Sequence, residues 1–398
     1  MKPIKLIRTT TIPQALKILL RGQHRFMREK GFEVVGVASN HQDLIDVANA
    51  EGIRTIAVDM ERHIRPFKDL ISLWKMYCVF RKEKPTIVHS MTAKAGLLSM
   101  LAGKMAGVPI RMHTFAGLMF HAKKPLKRKI IITMDKVLCW AATNVYPEGE
   151  GIKREMITHN ITSKPLKVLA NGNVNGINTS YFCPTQITEK QKNELRSQWE
   201  ISESDFIFIF VGRVVGDKGI NELVQAFTNL TNHLPIVAIG TPTNNLKLLI
   251  VGGKESDLDP LHPNTIKLIN ENPHIKEVGF QEDVRPFFAI ANALVLPSYR
   301  EGMPNAVIQA GAMELPSVVS DVIGCNEIIT HNFNGLIIPP KDIKKLEESM
   351  CHLAQNTELY NRLKANCRKP IVNRFEQEVV WNAILEEYHR LLKERGMS

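Results

Sequence analysis

The chain is predicted to be an α/β protein built from two successive doubly wound parallel sheets. Three observations carry this. Short apolar runs of strand length alternate with amphipathic helical stretches, the pattern of a parallel sheet with helices on both faces. The alternation stops at a polar stretch after Cys183–Pro184 and restarts at Phe206. A length of 398 residues also exceeds what one hydrophobic core serves, so two domains are expected.

The elements follow in order. KPIKLIRTT (2–10) is a first strand, and 12–30 is a helix ended by Gly31. FEVVGVAS (32–39) and IRTIAVD (53–59) are the next strands. Pro66 opens a helix to Lys84, at the one helical position where a missing N–H is harmless. PTIVHS (85–90), a helix over 93–106 stopped by Gly107, and VPIRMHTF (108–115) continue the pattern. A helix over 126–142 precedes the strands NVYP (144–147) and LKVLAN (166–171). This gives a domain over 1–183 and a second over 195–370. FIFIFVGR (206–213) is apolar along its length, as a strand buried on both faces must be. A helix over 219–230 and the strands LKLLIVGG, IKEVGF, ALVLPS, PSVVSD and GLIIPP complete the second sheet. The final helix spans 371–395, and its end, about 375–398, is expected to return to the first domain. In such sheets ligands sit outside the carboxyl ends of the strands.

Composition narrows the function. Hydrophobic content of 44% and charged content of 23% are those of a water-soluble globular chain. Six scattered cysteines with no CxxC imply reduced thiols rather than a disulfide or metal framework. The start of the chain shows no secretory pattern, and no apolar run reaches the ~18 residues that span a bilayer. A cytoplasmic location is expected. Residues 1–190 hold 30 Lys+Arg against 14 Asp+Glu, whereas residues 191–398 hold 21 against 26. Such asymmetry points to an anionic surface facing the first half. Nucleic acid is not that partner, because no basic stripe interleaved with aromatics is present.

The stretch SYREGMPNAVIQAGAMELP (298–316) concentrates the chemistry. Glu301 and Gly302 end a strand–loop passage. Pro304 and Asn305 then open a helix patterned by Ala306, Val307, Ala310 and Met313. Free N–H groups at a helix start bind phosphates, and a carboxylate beside them accepts hydrogen bonds from sugar hydroxyls. Alone, the stretch is equally an ordinary loop with a surface acid. FVGRVVGDKGINELVQAF (210–227) adds Arg213 just past a strand and Lys218 just before Gly219 and a helix. A planar fork and a point charge at one helix start suit a diphosphate. Neither GxxxxGK[ST] nor an early GxGxxG is present. Asp257-Leu258-Asp259 matches DxD, a three-residue pattern in an acidic loop, and is not read as a metal site.

VGRVVGDKG, then ALVLPSYREGMPNAVIQAGAMELPSVVSDVIGCNEII, then NGLIIPP resemble, in that order, the retaining nucleotide-sugar glycosyltransferases of family 4. LKVLANGNVNGINTSYF and IRMHTFAGLMF are most similar to the capsule and O-antigen branch, which extends lipid-linked saccharides. The resemblance implies the GT-B fold: two facing Rossmann-like domains with a deep cleft. It implies a nucleotide-sugar donor, of which a UDP-sugar is the expected case. It implies a polyprenyl-diphosphate-linked saccharide acceptor, and neither metal nor cofactor. Glu301, Arg213 and Lys218 would be catalytic. Gly212, Gly279, Phe280, Gly302, Met303, Pro304, Asn305, Ala306 and Gln309 would join Arg213, Lys218 and Glu301 around the donor. Thr10, His113, Gly117 and Asn175 would face the acceptor.

Two departures stand out. The family's second glutamate is Gln309 here, and the histidine before the cleft-loop glycine is Ala116. His113 lies an odd offset from that position, hence on the opposite strand face, and either lines the cleft or is a core residue. His89 is open in the same way. Two other readings share the fold: a sugar-nucleotide epimerase, and an inactive sugar-nucleotide-binding subunit. Basic clusters at Lys17, Arg21, Arg25 and Arg28, and at Lys123, Lys124, Lys127, Arg128 and Lys129, suggest peripheral attachment to the inner, anionic face of the cell membrane. Trp74, Met76, Tyr77 and Phe80 are either core or lipid-facing.

Overall fold

A computed structural model of the chain describes residues 3–61, 63–120, 125–233, 246–255 and 259–397. It divides into two units, one of residues 1–176 with 377–398 and the other of residues 177–376. Lys123, Lys124, Asp257 and Leu258 lie outside the described residues.

The first unit is a six-stranded parallel sheet of β1 (Ile4–Thr9), β2 (Phe32–Ala38), β3 (Arg54–Ala57), β4 (Ile87–Ser90), β5 (Ile110–Phe115) and β6 (Asn144–Pro147), in the order β3-β2-β1-β4-β5-β6. The first two crossovers step toward one edge and the last three toward the other. Because crossovers are right-handed, the helices fall on opposite faces of the sheet. Helices Pro66–Glu83, Ala93–Ala106 and Pro125–Ala141 therefore share one face, and they pack side by side in that order. The opposite face carries Gln23–Glu29 and Gln42–Glu51, and the last helix, Gln377–Glu394, packs against Gln23–Glu29.

That last helix is bound by its apolar stripe. Val380, Ile384, Tyr388, Leu391 and Leu392 are buried, and each such side chain contributes roughly 1.5–3 kcal/mol. Polar ties fix its register. Tyr146 Oη donates to Glu387 at 2.7 Å, and Lys167 pairs with Glu387 at 2.9 Å. Burial alone would raise the Glu387 carboxyl, yet hydrogen bonds from Arg390, Tyr146 and Lys167 hold it down at about 2.

The second unit repeats the plan with β7 (Phe206–Val211), β8 (Leu246–Val251), β9 (Ile275–Gly279), β10 (Ala293–Leu296), β11 (Ser317–Ser320) and β12 (Gly335–Ile338), all parallel, in the order β12-β11-β10-β7-β8-β9. Phe206, Ile207, Phe208, Ile209 and Phe210 are all buried. This is the both-faces burial their uniform apolarity requires.

Four sequence expectations are corrected. Residues 12–30 do not form one helix: a π-turn at Ala15–Leu19 ends before Gly22, and Gln23–Glu29 follows. Gly22 has φ +83°, and Glu51 accepts its N–H at 2.7 Å. Residues 166–171 form only isolated bridges, at Leu166 and Ala170. The terminal helix breaks at Glu376, whose carboxylate accepts from the Thr179 N–H at 3.1 Å. The chain enters the second unit at Ile177, not after Cys183. Ile177 N–H donates to Phe375 O, and Arg368 donates to Thr179 O and Phe182 O, so this segment is fastened there.

Candidate functional site

In the second sheet β7 and β10 are neighbours, yet the chain leaves β7 toward β8 and returns past it to reach β10. That reversal opens a crevice at the carboxyl ends of the two strands. Both sequence motifs sit there. Gly212 and Arg213 follow β7, and Tyr299–Pro304 follow β10.

The two loops meet at an ion pair. Lys218 Nζ lies 2.5 Å from Glu301 Oε1, with side-chain exposures of 17% and 10%. Ser298 Oγ, fully buried, donates to the same Glu301 oxygen at 2.6 Å. Lys218 ends a short 3-10 turn, Gly216–Lys218, and the next residue, Gly219, has φ +74°. A Cβ on Gly219 would stand 2.1 Å from Pro297 O, so only glycine lets the Lys218 turn close onto the β10 strand end. Asp259 holds the turn from the other side. Its carboxylate accepts the Asp217 N–H at 2.6 Å, and its carbonyl accepts the Gly216 N–H at 3.2 Å. Asp259 is thereby engaged as a loop clamp. Its DxD partner, Asp257, lies outside the described residues.

Arg213 is 47% exposed and pairs with Glu255 at 2.9 Å. Arg300 pairs with Asp217 at 2.6 Å. Cations and acids thus interleave around one crevice.

The helix behind it spans Asn305–Ala312, with Pro304 as the residue before its first turn rather than within it. Its amino terminus opens on the Glu301–Pro304 loop. Gly324, at φ +80°, packs against that loop: a Cβ there would lie 1.9 Å from Gly302 O. Met303 and Pro304 are buried, while Gly302, Asn305, Ala306 and Gln309 are half-buried. Gln309 lies one turn beyond Asn305, on the same helix face. Gly279 has φ +79°, and the next residue, Phe280, presents its ring to solvent at 65% exposure. Asp283 holds Arg285 at 2.6 Å, and Arg285 stacks on Tyr181, so Asp283 is structural.

The first unit treats its candidates differently. Thr10 is buried, and its hydroxyl donates to Ile12 O at 2.9 Å. Gly117 has open space where a Cβ would be. His113 is corrected to the core: it is 1% exposed, with Nδ1 2.8 Å from Ser90 Oγ and its ring edge-on to Phe115. Burial pushes its pKa down to about 3. A Cβ on Gly96 would stand 2.4 Å from this ring, which shows how tightly the helix behind the strand covers it. Asn175 is also spoken for. It donates to Arg21 O at 3.0 Å, and its carbonyl accepts from Gln23 at 3.1 Å and from Trp381 at 2.7 Å. His89 is buried between Arg8, Tyr388 and Thr114, and burial, then the Arg8 charge, lowers its pKa well below normal.

Ser298, Glu255, Asp217 and Gly324 escaped the sequence reading. Ser298, three residues before Glu301 at a strand end, carried a readable signal. Glu255 carried none, since its partner is 42 residues away.

Known proteins match along the whole chain. The family model for glycosyl transferases group 1 matches residues 191–370, and that for a glycosyl transferase 4-like domain matches residues 20–172. The capsular polysaccharide biosynthesis glycosyltransferase CapM of Staphylococcus aureus is 31% identical over 99% of both chains. An Escherichia coli UDP-Gal:alpha-D-GlcNAc-diphosphoundecaprenol alpha-1,3-galactosyltransferase is 26% identical over 79% of this chain and 78% of its own. Among solved structures, a glycosyltransferase from Rickettsia africae superposes with TM-score 0.78 and 19% identity, over 99% of this chain and 100% of its own. Two parallel six-stranded sheets with flanking helices are thus the GT-B fold.

Proposed function

Because the chain belongs to the group 1 glycosyltransferases, with a 4-like domain in its first half, we propose that it moves a hexose from a UDP-sugar to a polyprenyl-diphosphate-linked saccharide in surface polysaccharide synthesis. The Escherichia coli relative acts, by its name, on such a pair of substrates. The single observation that carries the reading is the meeting of Lys218 with Glu301 at the β7/β10 crevice.

The donor diphosphate lies across the two loops, gripped by Arg213 and Lys218 and by amides at the start of helix Asn305–Ala312. Phe280 stacks on the base, and Gln309 hydrogen-bonds the ribose. As the diphosphate takes Lys218, Glu301 is released to the sugar's hydroxyls. The bond from the anomeric carbon to the phosphate oxygen breaks while the acceptor oxygen bonds to the same face of that carbon. The acceptor's hydroxyl proton passes to the departing phosphate oxygen, so configuration is retained and no histidine is required. Fixed cations aimed at the leaving oxygen supply the stabilisation, so the reaction runs without a metal. The basic first unit draws the enzyme to the anionic inner face of the cell membrane, where the acceptor resides.

Incubation with radiolabelled UDP-hexoses and extracted membrane lipid tests this. Label is expected in the lipid phase, unaffected by a chelator, and Lys218→Ala lowers the rate about 10²–10³-fold. Label in a different soluble sugar, or binding without transfer to any lipid, contradicts it.

A further inference from the structure

Where the enzyme meets the membrane is written in the side chains of one face of the first unit. Of the two basic clusters, the described members Lys17, Arg21, Arg25 and Arg28 on one side and Lys127, Arg128 and Lys129 on the other lie on opposite faces of its sheet, so a flat bilayer meets only one group. The cluster before and within helix Gln23–Glu29 is largely consumed by the fold. Lys17 pairs with Asp43 and Asp46, both at 2.8 Å. Arg25 donates to Ala50 O and Arg28 to Gly52 O.

The other face is different. Helix Pro66–Glu83 buries Ser72, Met76 and Phe80. Its far side exposes Phe67 by 86%, Leu70 by 65%, Ile71 by 57% and Trp74 by 60%. These four fall within about 100° of arc on a helical wheel, a coherent stripe rather than scattered exposure. Helix Pro125–Ala141 has a second stripe. Leu126, Ile130, Val137 and Trp140 are exposed along one side, with Lys129 and Lys136 on one flank and Lys127 on the other. Between the two helices Ala93–Ala106 exposes Met105, and Lys104 stands 3.4 Å over the Trp140 ring. Phe67 and Leu126 belong to first turns, and Leu70 and Ile130 to second turns, at the sheet end where its strands terminate.

We infer that the outer face of helices Pro66–Glu83 and Pro125–Ala141 inserts shallowly into an anionic lipid bilayer. This deepens, and rests on, the lipid-linked transferase reading. Charge selects the occupant. The first unit holds 32 Lys+Arg against 17 Asp+Glu, and in helix Pro125–Ala141 the lone acid, Asp135, is buried. A second copy would bring the same surplus of positive charge against itself, whereas an anionic interface complements it. Apolar and tryptophan side chains flanked by lysines are the composition of helices that lie in the interface plane. The first-turn side chains then set the ends of β4 and β5 close to the headgroups.

The test is flotation of the full chain with vesicles of equal phosphatidylglycerol and phosphatidylcholine, and with phosphatidylcholine alone. Wild type is expected to float with the anionic vesicles, and brominated acyl chains are expected to quench its tryptophan emission. Phe67→Ser with Trp74→Ser, and separately Lys129→Glu with Lys136→Glu, lower the partition about tenfold or more. All these positions are solvent-facing, so circular dichroism stays unchanged. Wild-type-like flotation of both variants overturns the inference, as does equal partition of wild type into both vesicles. A dimer that Phe67→Ser with Trp74→Ser dissociates, with flotation intact, gives the face to a second copy and also overturns it. Transfer to a short-chain, water-soluble diphosphate-linked acceptor separates the two readings. The variants retain it when both hold; wild type that floats but transfers to no acceptor fails the transferase reading alone.

Discussion

Replacing Lys218 by Met tests both the fold around the crevice and its chemistry. Glu301 keeps its Ser298 hydrogen bond at 2.6 Å but loses the ammonium at 2.5 Å. Breaking a fully buried pair costs ~3–5 kcal/mol, and breaking an exposed one costs ~0–1 kcal/mol. With exposures of 17% and 10%, this pair falls between, so a loss of about 2 kcal/mol is expected. For a unit of this size that is roughly 4–8 °C in the melting transition. Glu301→Gln removes the charge yet keeps an acceptor for Lys218 and Ser298, costing about 1 kcal/mol. The double variant leaves no orphaned charge, so its loss falls short of the sum by about 1 kcal/mol or more. Calorimetry of the four proteins in low salt measures this. In parallel kcat for Lys218→Met falls about 100-fold or more. Strict additivity of the two single variants, or near-normal turnover by a folded Lys218→Met protein, refutes the reasoning.

The same structure sets other outcomes. Gly219→Ala forces a Cβ to 2.1 Å from Pro297 O at φ +74°; it is expected to lower stability by more than about 2 kcal/mol and to abolish donor binding, read by denaturant titration and calorimetry. Burial pushes Asp135 up to about 7. A raised acid binds its proton in the folded state first, so its stabilisation is present below the unfolded value near 4 and lost as pH rises toward 7. Asp135→Asn should therefore raise the melting temperature at pH 8 and leave it unchanged at pH 4. His24 and His113, pushed down to about 3 by burial, with His89 lowered likewise, act oppositely. Their contribution is full above about pH 6.5 and is lost as pH falls toward the folded values, by up to ~1.4 kcal/mol per pH unit for each ring. Urea midpoints between pH 7 and pH 4.5 measure it, and a flat profile contradicts it.

The parts of the fold legible in the sequence were those fixed by local pattern. Phe206–Phe210 announce a doubly buried strand, and Gly107 stops its helix where expected because its φ of +75° suits little else. The two unforeseen helix breaks share one cause, a distant partner. The terminal helix breaks at Glu376 because Thr179, 197 residues away, supplies a hydrogen bond that outweighs helical continuity. The early helix is interrupted at Gly22, where Trp381 packs on the glycine and Glu51 takes its N–H. In the crevice Lys218 and Glu301 were legible by residue type and spacing. Glu255 was not, since nothing local distinguishes it from a solvated surface acid. The sequence leaves His113 open between cleft and core because a polar residue near a strand end looks alike whether it faces solvent or a covering helix; the structure places it in the core.

Binding of UDP and of uridine, compared by titration calorimetry for wild type, Arg213→Ala and Lys218→Ala, addresses the crevice most directly. If the loops after β7 and β10 jointly hold a diphosphate, each variant weakens UDP about tenfold or more and leaves uridine alone. Unchanged UDP affinity in both folded variants, or an equal loss for uridine, would move the diphosphate out of this crevice.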